Sequence, residues 1–84
     1  MLLRHICEVC GKEEILTPDQ AHEQGWDYPP MMGQFKMISP RTCGSCPIDR
    51  TLWWAIQIGE DLSEKQHQTL ERILNEPDSI KVID

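Results

Sequence analysis

All four cysteines of this chain fall in two Cys-x-x-Cys pairs, Cys7-Glu8-Val9-Cys10 and Cys43-Gly44-Ser45-Cys46, and no other feature of the sequence restricts its folding as much. Two thiolates three positions apart reach one ion from a tight turn, and two such turns complete a tetrahedron around it. A chain of 84 residues is of single-domain length. It buries a smaller share of its surface than a larger domain does, so a metal crosslink is a common supplement to its core. Only Met1, Leu2 and Leu3 precede Arg4, too little apolar chain for a secretory signal, and the run Leu52–Ile56 stops at Gln57, too short to span a bilayer. The expectation is a cytoplasmic protein without a membrane segment. In that compartment thiols stay reduced, and paired cysteines are metal ligands sooner than disulfides.

One structural zinc ion on Cys7, Cys10, Cys43 and Cys46 is the expected cofactor. Four sulfur ligands leave no open position for water or substrate, so the site is structural and not hydrolytic. Such sites carry roughly 10–16 kcal/mol of apparent binding energy, comparable to the whole stability of a small domain. Three rivals use the same thiols: a rubredoxin-like iron electron carrier, a thioredoxin-like redox pair at Cys43 and Cys46, and extracellular disulfides. The second pair lacks the Cys-Pro-x-Cys-Gly order of the first rival. Ser39-Pro40-Arg41-Thr42 is not the hydrophobic strand that the second requires.

Local signals place several elements. Leu2–Ile6 has the pattern of a short strand running into the first pair, and Gly11 can take positive φ behind it. Thr17-Pro18-Asp19-Gln20 opens a short helix to about Gln24, with Gly25 as its stop. Trp26 to Gly33 is irregular because of Pro29 and Pro30, and Phe35–Ile38 is expected as a strand. Trp26, Tyr28, Phe35 and the methionines are expected to cover the metal site as a minicore; the alternative use for them is a peptide-binding groove. From Ile48 to Gly59 the composition permits a strand, but Ile48, Leu52, Ala55, Ile56 and Gly59 share one helical face, which favours a helix. Ser63-Glu64-Lys65-Gln66 caps a further helix to about Asn75, with Leu70, Ile73 and Leu74 as its apolar stripe. Ser79–Asp84 alternates as a terminal strand and is a candidate partner of residues 2–6.

The knuckle Cys7-Glu8-Val9-Cys10-Gly11 and the second pair Cys43-Gly44-Ser45-Cys46 resemble those of zinc-ribbon and treble-clef domains. The resemblance covers residues 5–58 and implies an α+β fold, a small zinc-stabilised domain. A helix after Cys46 implies the treble clef of the two, whereas the intervening helix, the Pro-rich loop and Pro47 depart from the pattern. Residues 1–59 form the expected zinc-binding domain, and residues 60–84 an acidic helix and short strand appended to it. Such domains serve as nucleic-acid binders, protein adaptors and enzyme subdomains, so the resemblance names no function.

Charge narrows the partners. The net charge is −6, with residues 60–84 holding seven acidic and three basic residues. Binding nucleic acid through phosphates needs clustered Lys and Arg, whereas the eight here are scattered, with only Arg41 and Arg50 near the second pair. Trp53 and Trp54 point about 100° apart on a helix, so one of them is a candidate anchor for a protein partner or for self-association. His5, two residues before Cys7, is in reach to replace or support a sulfur; His22 and His67 are expected at the surface. Asp27 and Asp49 are isolated, and no catalytic set remains once the cysteines are committed, so no enzyme is expected. The leading expectation is a noncatalytic zinc-stabilised protein-binding module, adaptor or regulatory, using Trp53, Trp54, Arg41 and Arg50. The alternatives are a nucleic-acid-associated zinc module, with Lys36 and the aromatics around Trp26, and the iron electron carrier.

Overall fold

The computed structural model describes residues 1–82. It is a small α+β fold in which two strands and three short helices are joined by turns that supply much of the core. Strand β1, Leu3–Ile6, pairs antiparallel with β2, Glu13–Leu16, in the register Leu3 to Leu16 and Ile6 to Glu13. The knuckle Cys7–Gly11 is the turn between them. It is closed by hydrogen bonds from the Gly11 N–H to the Cys7 carbonyl and from the Cys7 N–H to the Lys12 carbonyl, each 2.9 Å. Nothing in the isolated sequence Glu13-Glu14-Ile15-Leu16 marks it as a strand; the hairpin around the knuckle makes it one.

Helix α1 (Pro18–Glu23) has Thr17 and Gln20 as a reciprocal capping box, as the sequence predicts, and Gly25 follows it at φ 89°. The expected strand at Phe35–Ile38 is absent. A 3-10 turn spans Met32–Phe35 and ends with Lys36 in the left-handed region at φ 56°. Tertiary packing overrides the local pattern here. A Cβ on Gly33 would lie 2.0 Å from the Ile73 carbonyl oxygen, so the turn is seated backbone to backbone on a later helix.

The helix after the second pair starts later than its apolar pattern implies. A 3-10 turn spans Ile48–Arg50, Thr51 is extended and accepts the Trp54 N–H, and α2 runs Leu52–Ile58 to a left-handed Gly59. Of the predicted apolar face only Leu52 and Ala55 are buried; Ile48 and Ile56 are exposed. Helix α3, Glu64–Leu74, is opened by the Ser63–Gln66 capping box. Beyond it, Lys81 bridges Leu3 antiparallel, the Arg4 N–H donates to the Ile80 carbonyl, and the Val82 N–H donates to the Leu2 carbonyl. The remainder of the expected terminal strand, residues 83 and 84, lies outside the described residues. Ile80 enters one core with Leu3, Ala21, Trp26, Tyr28 and the buried cysteines Cys7 and Cys43. Phe35 does not join this minicore. It is 70% exposed, and Met31 and Met37 are exposed with it.

Behind the core lies an ion pair that charge counting missed. Arg41 and Glu76 are both shut from solvent. Arg41 Nε donates to Glu76 Oε2 at 2.9 Å, and Nη2 lies 2.7 Å from the same oxygen, in ion-pair range but off line for a second hydrogen bond. Tyr28 donates its hydroxyl proton to Glu76 Oε1 at 3.1 Å, Arg41 Nη1 donates to Ser39 Oγ, and the guanidinium stacks on the Tyr28 ring. Arg41 is therefore not part of an exposed basic spot with Arg50, and Glu76 does not belong to the solvated acidic surface. A charge taken from water is tolerated only when its partners replace the lost hydration, which Glu76 and Ser39 do for Arg41.

Two substitutions test this packing. Gly33→Ala should lower stability by about 1–3 kcal/mol, because the added methyl meets backbone that cannot swing aside. Glu76→Gln leaves Arg41 buried without a counter-charge and should cost about 3–5 kcal/mol. Urea unfolding monitored by circular dichroism reads both, and a Glu76→Gln curve overlying wild type would contradict the pairing.

Candidate metal centre

The metal site joins two turns from separate parts of the chain. Cys7 follows β1 directly and Cys10 ends the hairpin turn, while Cys43 and Cys46 occupy a turn whose Cys46 N–H reaches the Cys43 carbonyl at 3.3 Å. Each half is held in place by backbone. The Glu8 N–H donates to the Arg41 carbonyl at 2.9 Å, and Asp27 bridges Thr42 just before the second pair. Gly44 rests on the end of α1, where a Cβ would be 2.9 Å from the Gln24 carbonyl oxygen.

As a result the four sulfur atoms all lie within 4.8 Å of one another. Cys10 Sγ is 3.7 Å from Cys43 Sγ, and Cys43 Sγ is 3.6 Å from Cys46 Sγ. A tetrahedral ion with metal–sulfur bonds of about 2.3 Å requires sulfur–sulfur edges of about 3.8 Å. The spacing fits such an ion and is far longer than the ~2.05 Å of a disulfide; all four cysteines are free thiols. The four cysteines are thus positioned to bind a metal ion, with Cys7 and Cys43 on the core side and Cys10 facing outward.

The electrostatics divide the thiols. Burial alone would raise Cys7, but the backbone N–H groups of Cys10, Cys43 and Val9 favour its thiolate and hold it at about 6. The Cys10 N–H lies 3.5 Å from the Cys7 sulfur. Cys46 goes the other way, to about 12, through burial and through its contacts with the neighbouring sulfurs, Cys10 first. A cluster that already carries negative charge, with further thiols pressed against it, is a strong trap for a cation, since a dication relieves the mutual repulsion of the deprotonated set.

Outside the four sulfurs, Glu8 does what the sequence did not advertise. Sitting between Cys7 and Cys10, its Oε1 accepts the Leu52 N–H at 2.7 Å, an unpaired donor in the first turn of α2. Burial pushes the Glu8 carboxyl up, while this N–H pulls the other way. The knuckle thereby fixes where α2 begins. A negative residue inside the first pair was the signal, but its target lay forty-odd positions away and had no local mark.

His5 is not brought to the cluster. Its ring is fully buried, Nδ1 donates to the Leu3 carbonyl at 3.0 Å, and the ring packs edge-on against Trp26 and Tyr28. Burial lowers it, so the neutral ring serves as core. His22 and His67 are exposed, as expected, and Asp27 and Asp49 stand at the surface apart from the cluster. Trp53 is half-buried and Trp54 exposed, their ring centroids 6.1 Å apart, and Arg50 is exposed beside them on the preceding turn.

Protons compete with metal for thiolates, and Cys7 has the lowest value resolved among the four. Its folded value lies below that of a free thiol, so its contribution is complete above the ordinary thiol range and is lost as pH falls through about 6. Because protons and metal compete for the same sulfurs, metal should stay bound at neutral pH and be released on acidification, as read by a metallochromic dye. A strong chelator at neutral pH should abolish most of the ordered circular dichroism. Release already complete at neutral pH would show that the sulfurs do not hold the ion as a set. No family model, curated protein or solved structure matches the chain.

Proposed function

We propose that the chain is a noncatalytic zinc-stabilised module that binds another protein. Zinc is favoured because a closed four-thiolate tetrahedron with no redox role suits it, and because the residue order around the second pair departs from that of rubredoxin-like iron sites. The first pair in a hairpin turn and the second ahead of a helical segment support a zinc-ribbon-like or treble-clef-like arrangement. The ion would hold the two halves of the chain together, and the residues around it would only shape and shield it.

The observation that carries the binding role is the surface of α2. Its seven residues, Leu52–Ile58, contain no charged side chain, and Trp54, Ile56 and Ile58 are exposed. Glu8 fixes this helix to the knuckle, so the apolar side chains stand on a rigid base at one edge of the metal site. Aromatic residues held rigidly at a surface are the usual anchors of protein interfaces. Nucleic-acid binding is less well supported, because Arg41, one of the basic residues it would use, is buried against Glu76.

Two measurements test this function. Elemental analysis of freshly purified protein should return one zinc per chain and no iron, and the solution should be colourless. The metal-loaded protein should capture a specific partner from its native host, and Trp54→Ala with Ile58→Ser should abolish capture while leaving metal content and circular dichroism unchanged. Capture that survives the double substitution would remove α2 from the interface; no specific partner at all would defeat the proposal.

A further inference from the structure

Asp49 precedes α2 and Glu60 follows it, and the fold brings both to one small cavity against the helix. The cavity holds about 200 Å³ and is walled chiefly by these two residues, by Arg50, by Trp54 and Ile58 of α2, and by Gln66 in the first turn of α3. It is smaller than the roughly 300–1,000 Å³ of sites that enclose a whole small molecule, and has the size for a single long side chain. Its frame is held firmly. The Thr51 hydroxyl donates to the Ile48 carbonyl at 2.6 Å and closes the turn that carries Asp49. At the other end Gly59 is left-handed, and the Glu60 N–H returns to the Ala55 carbonyl at 3.0 Å.

Stability alone does not account for the charges of this cavity. Glu60 follows the C-terminal end of α2, where the helix dipole disfavours a negative side chain. Among the described residues neither Glu60 nor Asp49 has an ion-pair partner, although Arg50 lines the same cavity. Among the same residues the cation stacked on an aromatic ring is Arg41, on Tyr28, which leaves the Trp54 ring uncovered by charge. An exposed indole that shares a cavity with two unpaired carboxylates is the chemistry that receives a flat cation. The ring face and the carboxylates both attract it, and a neutral side chain of the same shape gains little from either.

We infer that this cavity takes an arginine side chain of the partner protein. The inference rests on the protein-binding role proposed above and names the group that the α2 surface recognises. Arginine suits it better than lysine, because a planar guanidinium stacks on an indole while its edge reaches a carboxylate. Ile58 offers an apolar wall to the methylenes of the guest. Arg50 opposes the guest, but the lining holds two acidic groups to this one basic group. The chain as a whole carries a net charge of −6, which draws a basic partner and repels a second copy of itself.

The test is a nuclear magnetic resonance titration of the full-length, metal-loaded protein at low salt with two blocked tripeptides, Gly-Arg-Gly and its citrulline counterpart. Citrulline keeps the size and shape of arginine and lacks the charge. The arginine peptide should bind saturably and at least fivefold more tightly than the citrulline peptide, with shift changes at Asp49, Trp54 and Glu60. Asp49→Asn with Glu60→Gln, both exposed positions, should weaken it at least fivefold without loss of metal or helical signal, whereas Arg50→Ala should tighten it. Equal binding of the two peptides, no saturable binding of either, unchanged binding by the Asp49→Asn, Glu60→Gln variant or weaker binding by Arg50→Ala would overturn the inference. So would a concentration-dependent dimer whose shifts map to the cavity. Capture of the native partner undiminished by Asp49→Asn with Glu60→Gln would likewise overturn it, while leaving the protein-binding role itself standing.

Discussion

The convergence of four sulfurs is the constraint on which the rest of the structure depends. Neither dithiol turn has an enclosing core of its own: one is the tip of a two-stranded hairpin, the other a loop leaning on the end of α1. A two-stranded ribbon alone is marginal in water. Bringing the turns within sulfur contact closes the loop of residues between them and places Cys7 and Cys43 in the same core as Trp26 and Tyr28. Negative charge concentrated at one point would drive the turns apart unless a cation offset it. An ion held by the four sulfurs would thus be part of the fold's stability, not an addition to it.

A second, independent tie holds the C-terminal part. The Arg41–Glu76 pair crosses from the strand of chain leading into the second knuckle to the turn after α3, and Tyr28 and Ser39 satisfy atoms that the pair leaves over. Arg41 is two residues from Cys43, and its carbonyl accepts the Glu8 N–H. One residue therefore touches the metal knuckle through its backbone and the C-terminal turn through its side chain. Buried ion pairs add little to stability against an apolar replacement, but they fix geometry, because a displaced partner leaves a bare charge. Here that geometry includes the seat of Gly33 on α3.

What these ties leave outside is informative in its own right. A chain of this size buries most of its large apolar residues if it can, yet Trp54, Ile58 and Phe35 remain at the surface on segments whose backbones are firmly held. Rigid support with exposed apolar side chains reduces the ordering cost of association, which is how small modules reach useful affinity from modest contact area.

The sequence by itself determined the two cysteine turns and their four thiols as a candidate metal cluster, both capping boxes, the glycine stops after α1 and α2, and the strand before Cys7. All of these depend on residues within a few positions of one another: a thiol spacing, a side chain reaching its own helix start, a residue free to take positive φ. Tertiary structure alone decided that Glu13–Leu16 is a strand, that Phe35–Ile38 is not, that α2 begins at Leu52, and that Arg41 is buried while Phe35 is exposed. Each of these turns on a partner far along the chain: Leu3–Ile6 for β2, the Ile73 carbonyl for the Gly33 turn, Glu8 for α2 and Glu76 for Arg41. Local propensity differences are tenths of a kcal/mol, whereas a buried charge without its partner costs several, so the distant contacts prevail wherever the two conflict.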